Sequence, residues 1–165
     1  MTDRLRAEQW RELLLEPGAE PLAVPAVGAN PLDWPEYERL RGESPGDEAV
    51  QAWAGRAGGL ALVLLAFDFA HLGGSMGAGV GARVAGAFAE AVRRRLPVVT
   101  VTATGGARMQ EGMVSLAQMT RTTLAAQAHR HAGLPQITIA SDPTTGGEGD
   151  AVSYTHLTLP TTPYV

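Results

Sequence analysis

The sequence contains no cysteine and no lysine, and the first absence excludes whole classes of site. Without cysteine the chain has no disulfide bonds and no thiolate ligands for a metal. Its four histidines, His71, His129, His131 and His156, do not have the spacing of metal ligands, so we expect no bound metal. All 13 basic residues are arginine, which we attribute to a GC-rich coding sequence.

The sequence also lacks a long hydrophobic run and an extended basic patch. Its main apolar run, GLALVLLAF at residues 59–67, is shorter than the roughly 20 residues that span a bilayer. The N-terminus has no apolar signal core, so we expect a cytoplasmic protein without a membrane segment. A net charge of −4 argues against nucleic acid or an anionic membrane surface as the main partner.

Composition divides the chain into three parts. Residues 1–47 form an N-terminal helix and a connecting segment, and residues 48–150 carry the alternating pattern of one main domain. Residues 151–165, AVSYTHLTLPTTPYV, are rich in threonine and similar to the translation of a transposase adapter from sequencing libraries. We interpret this tail as an artefact, and expect the natural protein to continue differently after about Gly147.

The hydrophobic pattern of the main domain predicts an α/β fold. A hairpin leads into the buried strand at residues 60–69, and a helix, a strand from about Pro97, a second helix and a last strand follow. A short helix is predicted from about Pro35 to Arg41, with Trp34 and Tyr37 as anchors. In the second long helix, apolar or small residues recur at helical spacing and predict a core-facing side: Met109, Met113, Leu116, Thr120, Leu124 and Ala128.

Two glycine pairs follow predicted strands. The first is in TATGGARMQEG, residues 102–112, and the second is in PTTGG, residues 143–147. Glycine lets a substrate approach the main chain closely, and we expect unpaired N–H groups where the strand passes into a helix. The sequence therefore predicts a site of main-chain donors that stabilises an oxyanion.

Three stretches together carry a family resemblance. FDFAHLGGSMG (67–77), LPVVTVTATGGARMQEG (96–112) and GLPQITIASDPTTGG (133–147) resemble the beta-type, N-terminal half of the acetyl-CoA carboxylase carboxyltransferase. The resemblance implies the crotonase and Clp-protease superfamily fold, a spiral of β-β-α units that is incomplete in this chain. The chain lacks the four-cysteine zinc ribbon common in bacterial beta subunits, so it resembles the zinc-less type.

The resemblance also implies an activity. In that family a carboxyl group passes from carboxybiotin, held on a carrier protein, to acetyl-CoA or a related acyl-CoA, giving malonyl-CoA for fatty acid synthesis. Main-chain amides hold the enolate oxygen and the ureido oxygen of biotin. The implied partners are an acyl-CoA substrate, an alpha-type carboxyltransferase half and the biotin carboxyl carrier protein, in an oligomer. We expect this fragment to be inactive alone.

The site residues implied by the resemblance fall into two groups. The oxyanion hole for the acyl thioester is expected from the backbone N–H groups of Gly146 and Gly147. The remaining expected positions line the acyl-CoA pocket: Gly73, Gly74, Ser75, Met76, Gly105, Gly106, Ala107, Arg108, Thr144 and Thr145. Arg108 attracts a CoA phosphate or pairs with Glu111, and we favour the pairing with Glu111.

Two other functions stay open from the sequence. GGSMG at residues 73–77 fits the G-x-S-x-G nucleophile motif, with Ser75 as the nucleophile of a serine hydrolase or peptidase. Its triad would need Asp142 with His129 or His131, which the sequence does not place together. The second alternative is a non-catalytic partner subunit of the same fold.

Overall fold

The computed structural model describes residues 4–24, 30 and 32–145, and these residues form a five-stranded mixed sheet with helices on both faces. In chain order the elements are α1 (Ala7–Leu14), β1 (Glu20–Pro21), α2 (Pro35–Glu43), β2 (Val50–Ala57), β3 (Leu60–Phe67), α3 (Ala78–Arg94), β4 (Val98–Thr104), α4 (Met113–His131) and β5 (Gln136–Thr144). The strands lie side by side in sequence order. The adapter-like tail at residues 151–165 lies outside the described residues.

The chain enters the sheet as a hairpin and continues in parallel strands. Strands β2 and β3 pair antiparallel through their full length, whereas β3, β4 and β5 pair parallel through crossovers by α3 and α4. From Leu62 to Phe67, β3 is buried on both faces, which explains its nearly continuous apolar sequence. The predicted hairpin, buried strand and α/β layering are confirmed.

Apolar packing holds helices against both faces of the sheet. On one face, Val63, Leu65 and Phe67 of β3 pack with Val84 and Phe88 of α3. On the other face, alternate residues of β3 pack with α1, and Trp53 lies in the same cluster. The alternation of side chains along a strand therefore divides one apolar run between two clusters.

Small residues bring α3 and α4 close together. At Gly81 of α3, an added Cβ would lie 2.2 Å from Oε1 of Gln118 on α4. No side chain larger than hydrogen fits there without moving α4. The crossover helices thus form one tightly packed layer over the sheet.

The prediction of which side of α4 faces the core is wrong. Met109 is 85% exposed and Met113 is 78% exposed, and Leu116 and Leu124 also face outwards. The buried side of α4 is mostly polar or small instead: Ser115, Gln118, Thr122, Ala126 and His129. The helix buries this side because α3 offers small residues there, which leaves the apolar side of α4 uncovered by described residues.

The N-terminal elements pack against the main domain. Helix α2 forms where the sequence predicts it, and Tyr37 is fully buried while Trp34 is exposed. Helix α1 packs through Trp10 and Leu14. Among the residues that the structure describes, no helix combines the length and the apolar character needed to cross a bilayer.

Candidate functional site

Two loops at the carboxyl ends of β3 and β4 lie against each other. The first loop contains Gly73–Met76, and the second contains Gly105–Arg108. A parallel bridge joins Met76 to Ala107: the Met76 N–H donates to the Gly106 carbonyl at 3.0 Å, and the Arg108 N–H donates to the Met76 carbonyl at 2.9 Å. The structure therefore brings together the two glycine loops that the sequence predicts as parts of one site.

Glycine is required in the first loop for a steric reason. Gly74 has φ +65°, and an added Cβ would lie 1.9 Å from the Ala103 carbonyl oxygen of β4. In contrast, a Cβ on Gly73 or Gly106 would meet no heavy atom within 4 Å, although both residues have positive φ. Gly74 thus fixes the packing of the loop on β4, while the main chain at Gly73 and Gly106 has open space beside it.

The expectation of unpaired amides at Gly105 and Gly106 is wrong. The Gly105 N–H donates to the Gly73 carbonyl at 2.9 Å, and the Gly106 N–H donates to Oγ1 of Thr104 at 3.1 Å. Within 105–108, only the Ala107 N–H donates to none of the described residues. In a parallel bridge the flanking residues supply the hydrogen bonds, so the Ala107 amide is directed away from Met76.

The last described residues of β5 are held beside the end of β4. The Thr144 hydroxyl lies 2.6 Å from the Ser141 carbonyl oxygen and 3.0 Å from the Thr102 carbonyl oxygen, which share its single hydrogen. The Thr145 N–H donates to the Thr104 carbonyl at 3.0 Å. The Thr145 hydroxyl donates to the same Thr104 carbonyl at 3.2 Å, so both threonines hold the end of β5 beside β4. Gly146 and Gly147, the expected oxyanion pair, lie outside the described residues.

A buried ionic cluster lies beneath both loops, and Arg108 is at its centre. The Arg108 guanidinium donates to Glu48 Oε1 at 2.7 Å, to Glu111 Oε1 at 3.2 Å and to the Ser75 carbonyl at 2.8 Å. Its Nη1 also donates to the Tyr37 hydroxyl at 3.1 Å. Arg108 is only 1% exposed, so its guanidinium holds the loops together and is not presented to a CoA phosphate. The predicted pairing with Glu111 is confirmed.

The cluster keeps its charged groups charged. Burial disfavours the Arg108 cation, but the hydrogen bond from Arg108 to Glu48 and the Glu48 charge hold the pKa of Arg108 above its ordinary value. Burial likewise opposes ionisation of Glu48, yet Arg108 lowers the pKa of that carboxyl. The opposite charges thus outweigh desolvation for both groups.

The cluster also caps helix α3. Oε2 of Glu111 accepts the Ala78 N–H at 2.6 Å, so a carboxylate lies at the positive end of the helix dipole. An added Cβ on Gly77 would lie 2.3 Å from Glu111 Oε1, which is why this turn needs glycine. Glu111 therefore connects the second loop to the start of α3.

Ser75 does not have the surroundings of a catalytic serine. Its hydroxyl donates to the Leu72 carbonyl at 2.7 Å and accepts from Nε of Arg108 at 3.2 Å. His129 is buried elsewhere, with Nε2 2.8 Å from the Leu96 carbonyl. Neither partner of the hydroxyl can remove its proton, so this structure does not favour the serine hydrolase reading.

Two members of the cluster were not identified as site residues from the sequence. Tyr37 was expected only as an anchor, and Glu48 lies in an acidic segment whose carboxylates give no sequence signal of burial. Glu48 lies two residues before β2, where its side chain is turned inwards to meet Arg108.

The fold and the paired loops define an α/β protein of the crotonase-like fold in which strand-end loops present the main chain. Residues 35–160 match the model of the carboxyl transferase domain, and the chain belongs to that family. It is 45% identical over 148 residues to the acetyl-coenzyme A carboxylase carboxyl transferase subunit beta of an Exiguobacterium species, covering 87% of this chain and 52% of that protein. The chain thus spans about half the length of the curated beta subunits it matches.

Fused and structural relatives agree with this assignment. The carboxyl transferase subunits beta/alpha of a Parafrankia species are 42% identical over 94% of this chain and 26% of that protein. A Pseudomonas malonate decarboxylase hetero-tetramer in complex with malonate aligns with a TM-score of 0.73 at 28% identity, over 89% of this chain and 55% of that one. Transcarboxylase 12S aligns with a TM-score of 0.77 at 23% identity, over 90% of this chain and 28% of that one, and confirms the fold.

Proposed function

We propose that this chain is part of a biotin-dependent carboxyltransferase that carboxylates acetyl-CoA or a related acyl-CoA. The observation that carries the proposal is the Ala107 amide, which donates to none of the described residues. It lies between a glycine with open space beside it and a buried arginine that fixes the loop. Beta subunits of acetyl-CoA carboxylase are the relatives that support this substrate class.

The chemistry that this chain supplies is electrostatic. The thioester oxygen of the acyl-CoA accepts a hydrogen bond from the Ala107 N–H, and the bond strengthens when removal of the α-proton makes that oxygen an enolate. Gly146 and Gly147, which follow Thr145 directly, are proposed to donate their amides to the same oxygen. Such main-chain donors need no titrating side chain, and the described loops offer none in hydrogen-bond contact with the Ala107 amide.

Biotin fits this scheme as a group carried by another chain. Its attachment to proteins uses a lysine amine, and these 165 residues contain no lysine. Carboxybiotin supplies the carboxyl group when its carrier docks. Gly73 is half-buried, and a Cβ there would have no neighbour within 4 Å, so its main chain gives a planar group room to approach the loops.

The proposed partner is an alpha-type carboxyltransferase half. Support comes from the uncovered apolar side of α4, with Met113, Leu116 and Leu124 exposed. A helix that buries polar residues and exposes apolar ones is expected at a subunit contact. The fused beta/alpha relative shows that both halves occur together in one protein.

A backbone substitution tests the role of the Ala107 amide. Replacing Ala107 by lactic acid in the full-length protein with its partner half changes one N–H to an ester oxygen and leaves the side chain unchanged. We expect turnover of biotin-dependent malonyl-CoA formation to fall by roughly 10²–10³, as for the loss of one oxyanion donor. Binding of acyl-CoA should change much less, because the enolate exists only along the reaction path.

The same ester at Ala23, an exposed residue outside the site, is the control. If the ester at position 107 leaves turnover within a few-fold of that of the unmodified protein, the Ala107 amide is not the proposed donor. A second variant, Ser75→Ala, should keep carboxyl transfer within a few-fold, whereas a serine hydrolase would lose its activity by about 10⁴ or more.

A further inference from the structure

The hydroxyl of Tyr37 lies between the two charged groups that hold the second loop. It donates to Oε1 of Glu111 and accepts from Nη1 of Arg108 at 3.1 Å. Tyr37 comes from α2, more than 60 residues before either partner in the sequence. The N-terminal segment therefore reaches under the loop that carries Ala107.

Glu48 makes the second contact from the N-terminal side. Its Oε1 accepts from Nη2 of Arg108 at 2.7 Å and from the Ala49 N–H at 2.8 Å, so the carboxylate is fixed to the start of β2. Near it, Nε2 of His71 is 3.7 Å from the same oxygen. All these side chains are nearly fully buried. The geometry leaves the guanidinium of Arg108 little freedom to move.

Arg108 is linked to the Ala107 amide through the hydrogen bonds that join the two loops. The Arg108 N–H is bonded to Met76, and its side chain is bonded to Ser75, so both loops move with it. The peptide that carries the Ala107 N–H is held at its other end, because the Gly106 carbonyl accepts the Met76 N–H. A shift of the guanidinium therefore reaches this peptide through Ser75 and Met76 of the first loop. Removing the Tyr37 hydroxyl would leave a gap next to Glu111 and Arg108 in a buried cluster.

We infer that Tyr37 and Glu48 are positioning residues for carboxyl transfer, which set the direction of the Ala107 amide through Arg108. This inference rests on the proposed function for its effect on turnover, while its structural part does not depend on that function. The Tyr37 hydroxyl remains a hydrogen-bond donor at neutral pH, since burial and the hydrogen bond to Glu111 raise the pKa of Tyr37 to about 12.

Two variants test the inference, each with a single polar change. Tyr37→Phe removes only the hydroxyl, and Glu48→Gln removes the negative charge at nearly constant shape. The matched control is Arg41→Met, because the Arg41 guanidinium contacts the Tyr37 ring, 5.7 Å from its centroid, but not the hydroxyl. The first measurement is the ¹⁵N–¹H resonance of the Ala107 amide in the full chain, together with its hydrogen-exchange rate.

We expect Tyr37→Phe and Glu48→Gln to shift this resonance and speed exchange, and Arg41→Met to leave both unchanged. In the complex with the partner half, Tyr37→Phe should lower kcat by about 10-fold with the KM for acyl-CoA within about 2-fold. A lower unfolding temperature with unchanged Ala107 resonance and kcat would show a purely structural role and overturn the inference. Glu48→Gln is an independent measurement of the same effect, so the inference can still be tested if Tyr37→Phe does not fold.

The two proposals fail in different ways. If the two variants shift the Ala107 resonance but the wild-type complex transfers no carboxyl group, the proposed function is refuted and the positioning geometry stands. Full carboxyl transfer with an unshifted resonance in both variants would refute the positioning role alone.

Discussion

Replacing Arg108 by methionine should strongly destabilise this protein. Methionine keeps most of the apolar stem of arginine and removes the guanidinium, so Glu48 and Glu111 lose their shared cation inside the protein. Removing one partner of a buried ion pair costs about 3–5 kcal/mol, because the remaining charge is desolvated without compensation. Domains of this size are stable by about 5–15 kcal/mol, so the variant is expected to lose a large part of its stability.

Urea unfolding followed by circular dichroism measures this loss. With a slope of about 2 kcal/mol per molar urea, a loss of about 4 kcal/mol lowers the midpoint by about 2 M. The control is Arg39→Met, because Arg39 of α2 is half exposed and pairs with Glu36 and Glu43 at the surface. Exposed pairs contribute about 0–1 kcal/mol, so the control should shift the midpoint by less than about 0.5 M.

The pH dependence separates loss of charge compensation from simple loss of packing. In the wild-type protein the pKa of Glu48 is lowered, so its contribution to stability is present above its ordinary value of 4.5 and is lost as the pH falls. Without Arg108, burial raises the pKa of that carboxyl, so it becomes protonated as the pH falls and the cost of burying its charge disappears. The difference in the free energy of unfolding between the wild-type protein and Arg108→Met should therefore narrow from pH 7 towards pH 4.5. A loss below about 1 kcal/mol at pH 7, or a constant difference, would refute this reasoning.

Two further predictions concern the helices. Burial lowers the pKa of His129 below its ordinary 6.5, so the unfolded chain binds more protons near pH 6 and stability should fall from pH 7.5 to pH 5.5. Urea midpoints at both pH values should show a smaller fall for His129→Gln than for exposed His131→Gln, and equal falls would contradict the assignment. On the outer side of α4, Leu124→Glu should weaken binding to the partner half by at least about 10-fold in sedimentation experiments. Leu60→Glu, on an exposed leucine at the start of β3, should not weaken that binding; equal weakening by both variants would count against an interface on α4.

The order of the elements follows from local sequence features. The continuous apolar run of β3 needs burial on both faces, and the glycines after it and after β4 allow turns that other residues resist. The helical spacing of Val80, Val84 and Phe88 matches the side of α3 that packs on the sheet. These features act over a few residues, so they can be read without the fold.

The orientation of α4 is a tertiary property. Its apolar side and its small, polar side both have helical spacing, and periodicity alone favours burial of the apolar one. The structure buries the other side, because Gly81 of α3 fits against Gln118 with no room for a Cβ. Which side of a helix meets its neighbour depends on the shape of that neighbour, which the sequence of α4 does not contain.

The donors at the site divide in the same way. Glycine pairs at strand ends indicate a main-chain site, yet the amides of Gly105 and Gly106 already donate hydrogen bonds to the Gly73 carbonyl and to Oγ1 of Thr104. The amide in this loop that donates to none of the described residues is that of Ala107, because the bridge to Met76 uses the Gly106 carbonyl and the Arg108 N–H on either side of it. Hydrogen-bond partners some 30 residues away in the sequence decide which amide remains available. The composition of the loop alone therefore could not predict it.

The sequence by itself determined the family, the strand and helix order and the pairing of Arg108 with Glu111, which lie three residues apart. Only the tertiary structure decided that Tyr37 and Glu48 complete that pair, since their partners are 60 to 74 residues away. Buried charge requires compensation wherever the chain can supply it, and long-range folding, not local pattern, brings the compensating groups together.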